Sequence, residues 1–303
     1  MDISFIVPIY NQLECSRAML MSLLKSVPLG YDYEVLLIDD GSEAATRRWL
    51  DSLRQSRVKV LYNATNLGYA RTNNKAVANA KGRLIALLNN DVLLSQDWLL
   101  PMLSILENRN LNAGIVGNIQ YRFNSAEIDH AGVEVTAQGK IEHLRAMASS
   151  ADRYPAFAVT AACCLLRRTD FLAVGGFDEC YVNGGEDVDL CLKLKARGLS
   201  CEVSTQSRIH HHVSLTRGVV STRDERNSMI LFTRWRDAIM AELMPVIAAE
   251  VVNGNTAIDG GILRFCQEYS LGTRLVPPKY IEHRARAIMD EEFLRWSRMF
   301  DKD

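Results

Sequence analysis

Apolar residues recur along the first third of the chain in short runs that stop at polar clusters, with helical spacing between them. Ile3-Ser4-Phe5-Ile6-Val7 forms such a run and is stopped by Pro8; residues 13–24 then place Leu13, Met19, Leu20, Leu23 and Leu24 at helical intervals. Tyr33-Glu34-Val35-Leu36-Leu37-Ile38 predicts a second strand, ended by Asp39-Asp40-Gly41-Ser42, with Ser42 expected to cap a helix through Leu53. Val58-Lys59-Val60-Leu61-Tyr62 predicts a third strand, followed by Asn66-Leu67-Gly68 and a helix over 70–80. Leu84-Ile85-Ala86-Leu87-Leu88 predicts a fourth. Strand–helix alternation of this kind implies right-handed βαβ units and a parallel sheet covered on both faces.

From about residue 113 the pattern changes. Short strands are expected over 115–120, 132–136 and 157–166, joined by polar loops, which suits a mixed or antiparallel half. Gly175-Gly176 ends a helix, residues 187–197 read as helical, and residues 201–209 as a strand. Phe232, Trp235 and Ile239 recur at helical spacing and are assigned to a core. Beyond Met244 a helical tail is expected, broken at Asn253-Gly254-Asn255 and Pro277-Pro278. The expected division is a domain over 1–240, made of halves 1–112 and 113–240, with a helical extension over 241–303.

Composition narrows the function classes. The chain has 303 residues and a formal net charge of −1, so it offers no bulk attraction to nucleic acid or to anionic membrane, and no nucleic-acid partner is expected. The start, Met1-Asp2-Ile3-Ser4, lacks the basic and apolar regions of a signal peptide, and no apolar run approaches the ~20 residues that span a bilayer. The 7 cysteines show no regular spacing. Together these point to reduced thiols in the cytoplasm, with membrane contact at most peripheral at the inner face. Cys163-Cys164 reads as core packing.

Parallel sheets bind ligands at the carboxyl ends of their strands. Here those ends carry Tyr10-Asn11, Asp39-Asp40 and Asn89-Asn90-Asp91, a clustering that points to a nucleotide site. A second acidic cluster, Glu186-Asp187-Val188-Asp189, follows Gly184-Gly185 and opens a helix. One carboxylate at a strand end can hold a metal ion, and another on a Gly-rich loop can take a proton. That division of labour suits chemistry on a phosphorylated substrate.

Four groups of residues carry a family resemblance: Val7-Pro8-Ile9-Tyr10-Asn11; Ile38-Asp39-Asp40-Gly41-Ser42; Asn66-Leu67-Gly68 with Leu88-Asn89-Asn90-Asp91; and Gly175-Gly176-Phe177-Asp178 with Gly185-Glu186-Asp187-Val188-Asp189-Leu190. In this order, across 3–235, they resemble an inverting family-2 nucleotide-sugar glycosyltransferase of the GT-A fold. The implied architecture is α/β, with a Rossmann-like nucleotide-binding half on a mostly parallel sheet and a mixed acceptor half.

By the same resemblance, Pro8, Tyr10 and Asn11 line the base, Asp40 accepts from a pyrimidine N–H while Asp39 braces the loop, and Asn66, Gly68, Arg71 and Asn74 approach the nucleotide. Asn89-Asn90-Asp91 stands at the family's Asp-x-Asp position with Asn89 replacing the first acid. Asp91 is then the main carboxylate on Mn2+ or Mg2+, a hard ion suited to oxygen ligands and phosphates. Asn89 and Asn90 belong to the donor side. Asp187 is the implied general base, with Glu186 near the acceptor. Within His210-His211-His212, His211 is the best match to a metal-ligating His-x-x-Ser setting that ends at Ser214. From the residues themselves, Thr216-Arg217-Gly218 and Arg223 read either as a loop that closes over the diphosphate or as a solvated basic loop.

The implied partners are a UDP- or dTDP-sugar and a glycan or lipid-linked acceptor. Ile128-Asp129-His130-Ala131-Gly132 and Gly139-Lys140-Ile141-Glu142-His143 resemble members that act on surface polysaccharides, rhamnosyltransferases among them, and either His can also be a surface residue. Two alternatives are weighed. A nucleotidyltransferase needs a Gly-rich basic loop where this chain has Pro8-Ile9-Tyr10-Asn11-Gln12; a non-catalytic module has no need of both Asp91 and Asp187. In the last helix Ile281, Ala285, Ile288, Met289, Trp296 and Phe300 share a face, which fits packing on the catalytic core, a homodimer interface or a membrane surface.

Overall fold

The computed structural model describes residues 1–212, 222–252 and 278–300. The chain divides into two compact units: Met1–Val133 with His143–Val219, and Glu134–Glu142 with Val220–Asp303. A helix, α7 (Thr222–Val252), runs across the boundary expected near 240.

The first unit is built on a ten-stranded sheet. Its parallel half comes from β1 (Ile3–Ile9), α1 (Leu13–Ser26), β2 (Tyr33–Asp39), α2 (Ala44–Ser52), β3 (Val58–Tyr62), α3 (Tyr69–Asn79) and β4 (Leu84–Leu88). These strands lie in the order β4-β1-β2-β3, all parallel. Every residue of β2 and β4 is buried, as expected for strands covered on both faces. The parallel half therefore has the architecture its hydrophobic pattern predicts.

The mixed half adds β5 (Val92–Leu94), α4 (Leu99–Glu107), β6 (Ala113–Arg122), β7 (Ile128–His130), β8 (Val133–Val135), β9 (Ile141–His143), β10 (Arg153–Pro155), β11 (Cys163–Arg167), α5 (Arg168–Ala173), α6 (Glu186–Ala196) and β12 (Ser200–His211). β11 joins the halves, running antiparallel to both β4 and β6. β12 lies parallel to β6 and takes β5 and β10 antiparallel. β7 pairs with β6, while β8 and β9 pair with each other in a separate two-stranded sheet, most of whose residues belong to the second unit. Cys163 and Cys164 are fully buried, as core packing requires.

Three local expectations fail, each for a physical reason. The apolar run 157–166 is not one strand. Only Cys163–Arg167 pairs, because the chain turns at 161–162, after Ala158 has made a single bridge to Val133. Ser42 does not cap α2. Its hydroxyl instead accepts the Asn11 N–H at 2.9 Å, and Asn11 Oδ1 accepts the N–H of Glu43, the residue before the helix, at 2.8 Å. Trp235 is only partly buried, since it sits at a kink in α7 (φ −114°, ψ 24°), whereas Phe232 and Ile239 are core as expected.

The turn after α5 is tied to α3. Asn74 Nδ2 donates to the Phe177 carbonyl at 2.9 Å, and Phe177 N–H donates to Asn74 Oδ1 at 3.0 Å. Gly176 (φ 67°) allows this approach, because a Cβ there would lie 2.6 Å from Asn74 Oδ1. Asn74→Ala strands both Phe177 backbone groups and is expected to lower unfolding free energy by about 1–3 kcal/mol, measurable by urea denaturation.

In the second unit, α7 is accompanied by α8 (Pro278–Phe300). Ile281, Ala285, Met289 and Trp296 are buried, while Ile288 and Phe300 are only partly so. Trp296 meets the Phe232 ring edge-on at 5.2 Å and donates to Glu225 at 2.8 Å, and Arg295 pairs with the same carboxylate at 2.6 Å. The apolar stripe of α8 thus packs on α7. Arg223 is exposed on α7. Ser214, Thr216, Arg217 and Gly218, and the breaks at 253–255 and Pro277, lie outside the described residues.

Candidate active site

The carboxyl ends of the parallel strands carry the first group of candidates. Tyr10 is 52% exposed and Pro8 partly buried, so both offer surface at the mouth of β1. Asn11 adopts φ 57° and spends its amide oxygen on Glu43. Asp39 braces the loop as expected, accepting from Arg47 at 2.8 Å and from the Ser42 N–H at 3.1 Å.

Asp40 also braces. It accepts from Asn63 Nδ2 (2.8 Å), Leu67 N–H (2.8 Å) and Gly68 N–H (3.0 Å), which leaves a carboxylate with about four acceptor sites room for one further N–H. Asn66 Oδ1 accepts from Gly68 N–H at 3.1 Å. Gly41 (φ 83°) permits this closure, since a Cβ there would lie 2.8 Å from the Asn66 nitrogen. Arg71 pairs with Glu179 at 3.0 Å, and Asn74 is committed to Phe177. The structure therefore turns Arg71 and Asn74 toward the 177–179 turn.

The second group forms where β4 ends. Asn89 N–H donates to the Ala162 carbonyl (2.9 Å), and Asn90 Nδ2 donates to Ser16 Oγ (2.9 Å). Pairing of β12 with β5 sets His211 opposite Val92, and the Asp91 carbonyl accepts the His212 N–H at 2.9 Å. Strand alternation then separates the histidines. His210 is exposed and lies against Tyr121, while His211 turns inward, its Nε2 3.3 Å from Asp91 Oδ1 and its Nδ1 3.5 Å from Asp129 Oδ2. Burial opposes charge on His211, yet Asp129 and Asp91 outweigh it and raise its pKa to about 9. The same contact with His211 holds Asp129 below the usual carboxylate range.

The third group opens α6. Gly185 (φ 91°) turns the chain into the helix. Glu186 is buried and accepts the Gly184 N–H at 2.6 Å. Asp189 is fully buried and paired with Lys193 at 2.8 Å. Asp187 alone of the three keeps partial exposure; it accepts from Val188 N–H (2.9 Å) and Ala161 N–H (3.4 Å).

Residues 161–162 join the two acidic clusters. Ala162 receives Asn89, Ala161 donates to Asp187, and the Ala161 carbonyl accepts the Tyr69 hydroxyl at 3.0 Å. Burial of that hydroxyl raises its pKa well above the ordinary value, and Cys164, Glu186, Asp187 and Asp91 add to the effect. Tyr69 thus feels both clusters. Sequence reasoning missed it, though its place directly after Gly68 was a signal. His130, for which a surface position was one reading, is 2% exposed and accepts the Thr160 N–H at 3.3 Å.

Among the described residues no three His, Cys, Asp or Glu side chains are grouped to hold a metal ion. The residues present nevertheless fit one that takes its remaining ligands from phosphates. Asp91 Oδ1 and Asn89 Oδ1 are buried without hydrogen-bond partners, and Asp91 Oδ1 faces an imidazole nitrogen. One or two protein oxygens completed by substrate phosphates are a usual set for a hard divalent cation at a nucleotide.

Comparison with known proteins agrees with this architecture. Residues 4–174 match the family model described as glycosyl transferase family 2. An uncharacterised protein of Sinorhizobium fredii is 34% identical over 74% of this chain and 26% of its own length. The O-antigen biosynthesis protein RfbC of Myxococcus xanthus is 31% identical over 71% of this chain and 18% of its own. The chain thus spans about a quarter or less of the length of these relatives. In fold it resembles a mannosyltransferase of Pyrobaculum calidifontis, solved with GDP-Man and Mn2+, with a TM-score of 0.60 and 16% identity over 99% of this chain and 88% of that one. The chain belongs to glycosyl transferase family 2, and its fold is GT-A-like.

Proposed function

We propose that this chain is a metal-dependent, inverting glycosyltransferase. It moves a sugar from a nucleoside diphosphate, UDP or dTDP, to a glycan or lipid-linked acceptor in surface polysaccharide synthesis. The observation that carries the reading is the single short segment, 161–162, that joins the Asp91–His211 end of β4 to the half-exposed Asp187. The O-antigen role in the name of the Myxococcus relative supports the polysaccharide setting, and the GDP-Man and Mn2+ bound to the Pyrobaculum enzyme support a nucleotide-sugar donor and a cation. Among the described residues no helix is long and apolar enough to cross a membrane, which fits a cytoplasmic enzyme with at most peripheral contact.

In this reading Asp91 and His211 hold Mn2+ or Mg2+, with Asn89 and Asn90 beside it, and the ion when bound neutralises charge on the departing diphosphate. Asp187 takes the acceptor hydroxyl's proton as its oxygen bonds to the anomeric carbon. The bond from that carbon to the diphosphate oxygen breaks, and the electron pair leaves with the nucleotide. Glu186, holding Gly184, fixes the loop that presents Asp187. Tyr10 and Pro8 face the base, while Asp40, Asn66 and Gly68 shape the loop beneath it.

A thermal-shift screen of nucleotide sugars with and without Mn2+ tests the reading. A donor at 100 times its Kd stabilises the folded chain by about 2.7 kcal/mol. The expected result is one nucleoside class raising Tm, and more so with Mn2+; a chain that responds to none overturns the assignment. The product's anomeric proton coupling, read by NMR, is expected to show inversion. Retention would rule out direct displacement.

A further inference from the structure

Asp129 stands outside the residues assigned so far, yet the strand pairing of the mixed half brings it against His211. β6 carries β7 on one edge and β12 on the other, with His130 opposite Gln120 and His211 opposite Arg122. The Asp129 carboxylate lies 3.5 Å from His211 Nδ1 through Oδ2 and 3.8 Å from Arg122 Nε through Oδ1. Its side chain is 9% exposed and that of His211 13%, against 41% for Arg122. The imidazole is therefore the more enclosed partner of a buried carboxylate.

A histidine that presents one nitrogen to a cation usually has the other engaged by a second partner, which sets both the ring orientation and the tautomer. Here the carboxylate meets Nδ1, and Nε2 is directed at Asp91 Oδ1, 3.3 Å away. Neither approach is an aligned hydrogen bond, since Asp91 Oδ1 and His211 Nδ1 both remain without one. The ring is placed between the two carboxylates with room to tighten toward either.

We propose that Asp129 is a positioning residue, which engages His211 Nδ1 so that Nε2 faces Asp91 and a cation held there. The proposal rests on the metal-binding reading above. In this assignment the effect of Asp129 passes through His211, its nearest charged neighbour at 3.5 Å.

The test is a Mn2+ titration of the full chain without nucleotide, read from the loss of the free-ion EPR signal, on wild type, His211→Ala, Asp129→Asn and the double variant. Partners of this kind contribute about 10–100-fold to metal affinity. Asp129→Asn is expected to weaken Mn2+ binding by that factor, and the double variant to bind no more weakly than His211→Ala alone. Asp129→Glu, which keeps a carboxylate, is expected to recover part of the loss; it carries the same cycle if the Asn variant does not fold. A purely structural Asp129 predicts a different pattern. Its substitution would lower the urea midpoint and leave Mn2+ affinity unchanged, or would weaken Mn2+ equally with and without His211, and either result overturns the proposal. A wild-type chain that takes up no Mn2+ overturns the metal reading itself, an outcome distinct from normal uptake in Asp129→Asn.

Discussion

Asp187→Asn is expected to lower the rate of sugar transfer by about 10²–10⁴-fold while leaving nucleotide affinity intact. Such a loss corresponds to about 2.7–5.5 kcal/mol of transition-state stabilisation. The physical ground is a sorting of three neighbouring acids by their surroundings. Glu186 is buried on Gly184, and Asp189 is fully buried against Lys193, so neither is free to meet an acceptor hydroxyl. Asp187 keeps partial exposure and accepts from the backbone N–H groups of Ala161 and Val188. Asparagine retains the size of the side chain and one acceptor oxygen, so the start of α6 should persist, but it cannot take a proton at neutral pH. Initial-rate kinetics on the donor found in the thermal-shift screen, with donor affinity measured separately, check the expectation. Full activity in the variant would remove Asp187 as the base. A loss of donor binding equal to the loss of rate would assign it to the donor instead.

Much of the parallel half was legible in the chain because strands covered on both faces must be apolar throughout. β4 falls where the run 84–88 placed it, and even the edge strand β3, only partly buried, matches the run 58–62. The same rule misled at 157–166, where the residues are apolar because they are enclosed, although the chain turns there rather than extends. That turn carries the proposed function, since its backbone connects Asn89 with Asp187. Asp129 and Tyr69 were illegible for a related reason. Their importance arises from pairing between β6, β7 and β12 and from a hydroxyl reaching Ala161, and neither contact has a local pattern in sequence. Asn74 shows the converse. A polar residue on the exposed side of a helix looks available to a ligand, yet its amide is committed to Phe177, more than a hundred residues away in the chain (|i−j| = 103).

Asp91→Ala is expected to abolish the Mn2+-dependent part of nucleotide binding, a loss of at least about 100-fold, because even partners that only orient a metal ligand contribute 10–100-fold. That is at least about 2.8 kcal/mol. Asn89 sharpens the effect. Where the family pattern has an acid, this chain has an amide that is polar but uncharged, so Asp91 supplies the local negative charge at the end of β4. The remaining contributor, His211, is drawn toward Asp91 at 3.3 Å and toward Asp129 at 3.5 Å. Without Asp91 the ring has only Asp129 to face, and the cation loses its carboxylate and the stop that aims the imidazole. Titration calorimetry with nucleotide and Mn2+ should therefore show the loss, whereas the same titration in chelator should give equal, weak binding for variant and wild type, since the contacts proposed for Pro8 and Tyr10 do not pass through the ion. Unchanged affinity with Mn2+ would remove Asp91 from the metal site. Equal losses with and without the ion would mean that Asp91 supports the shape of the loop, as Asp39 does at the end of β2, and that the charge on the diphosphate is met by other groups.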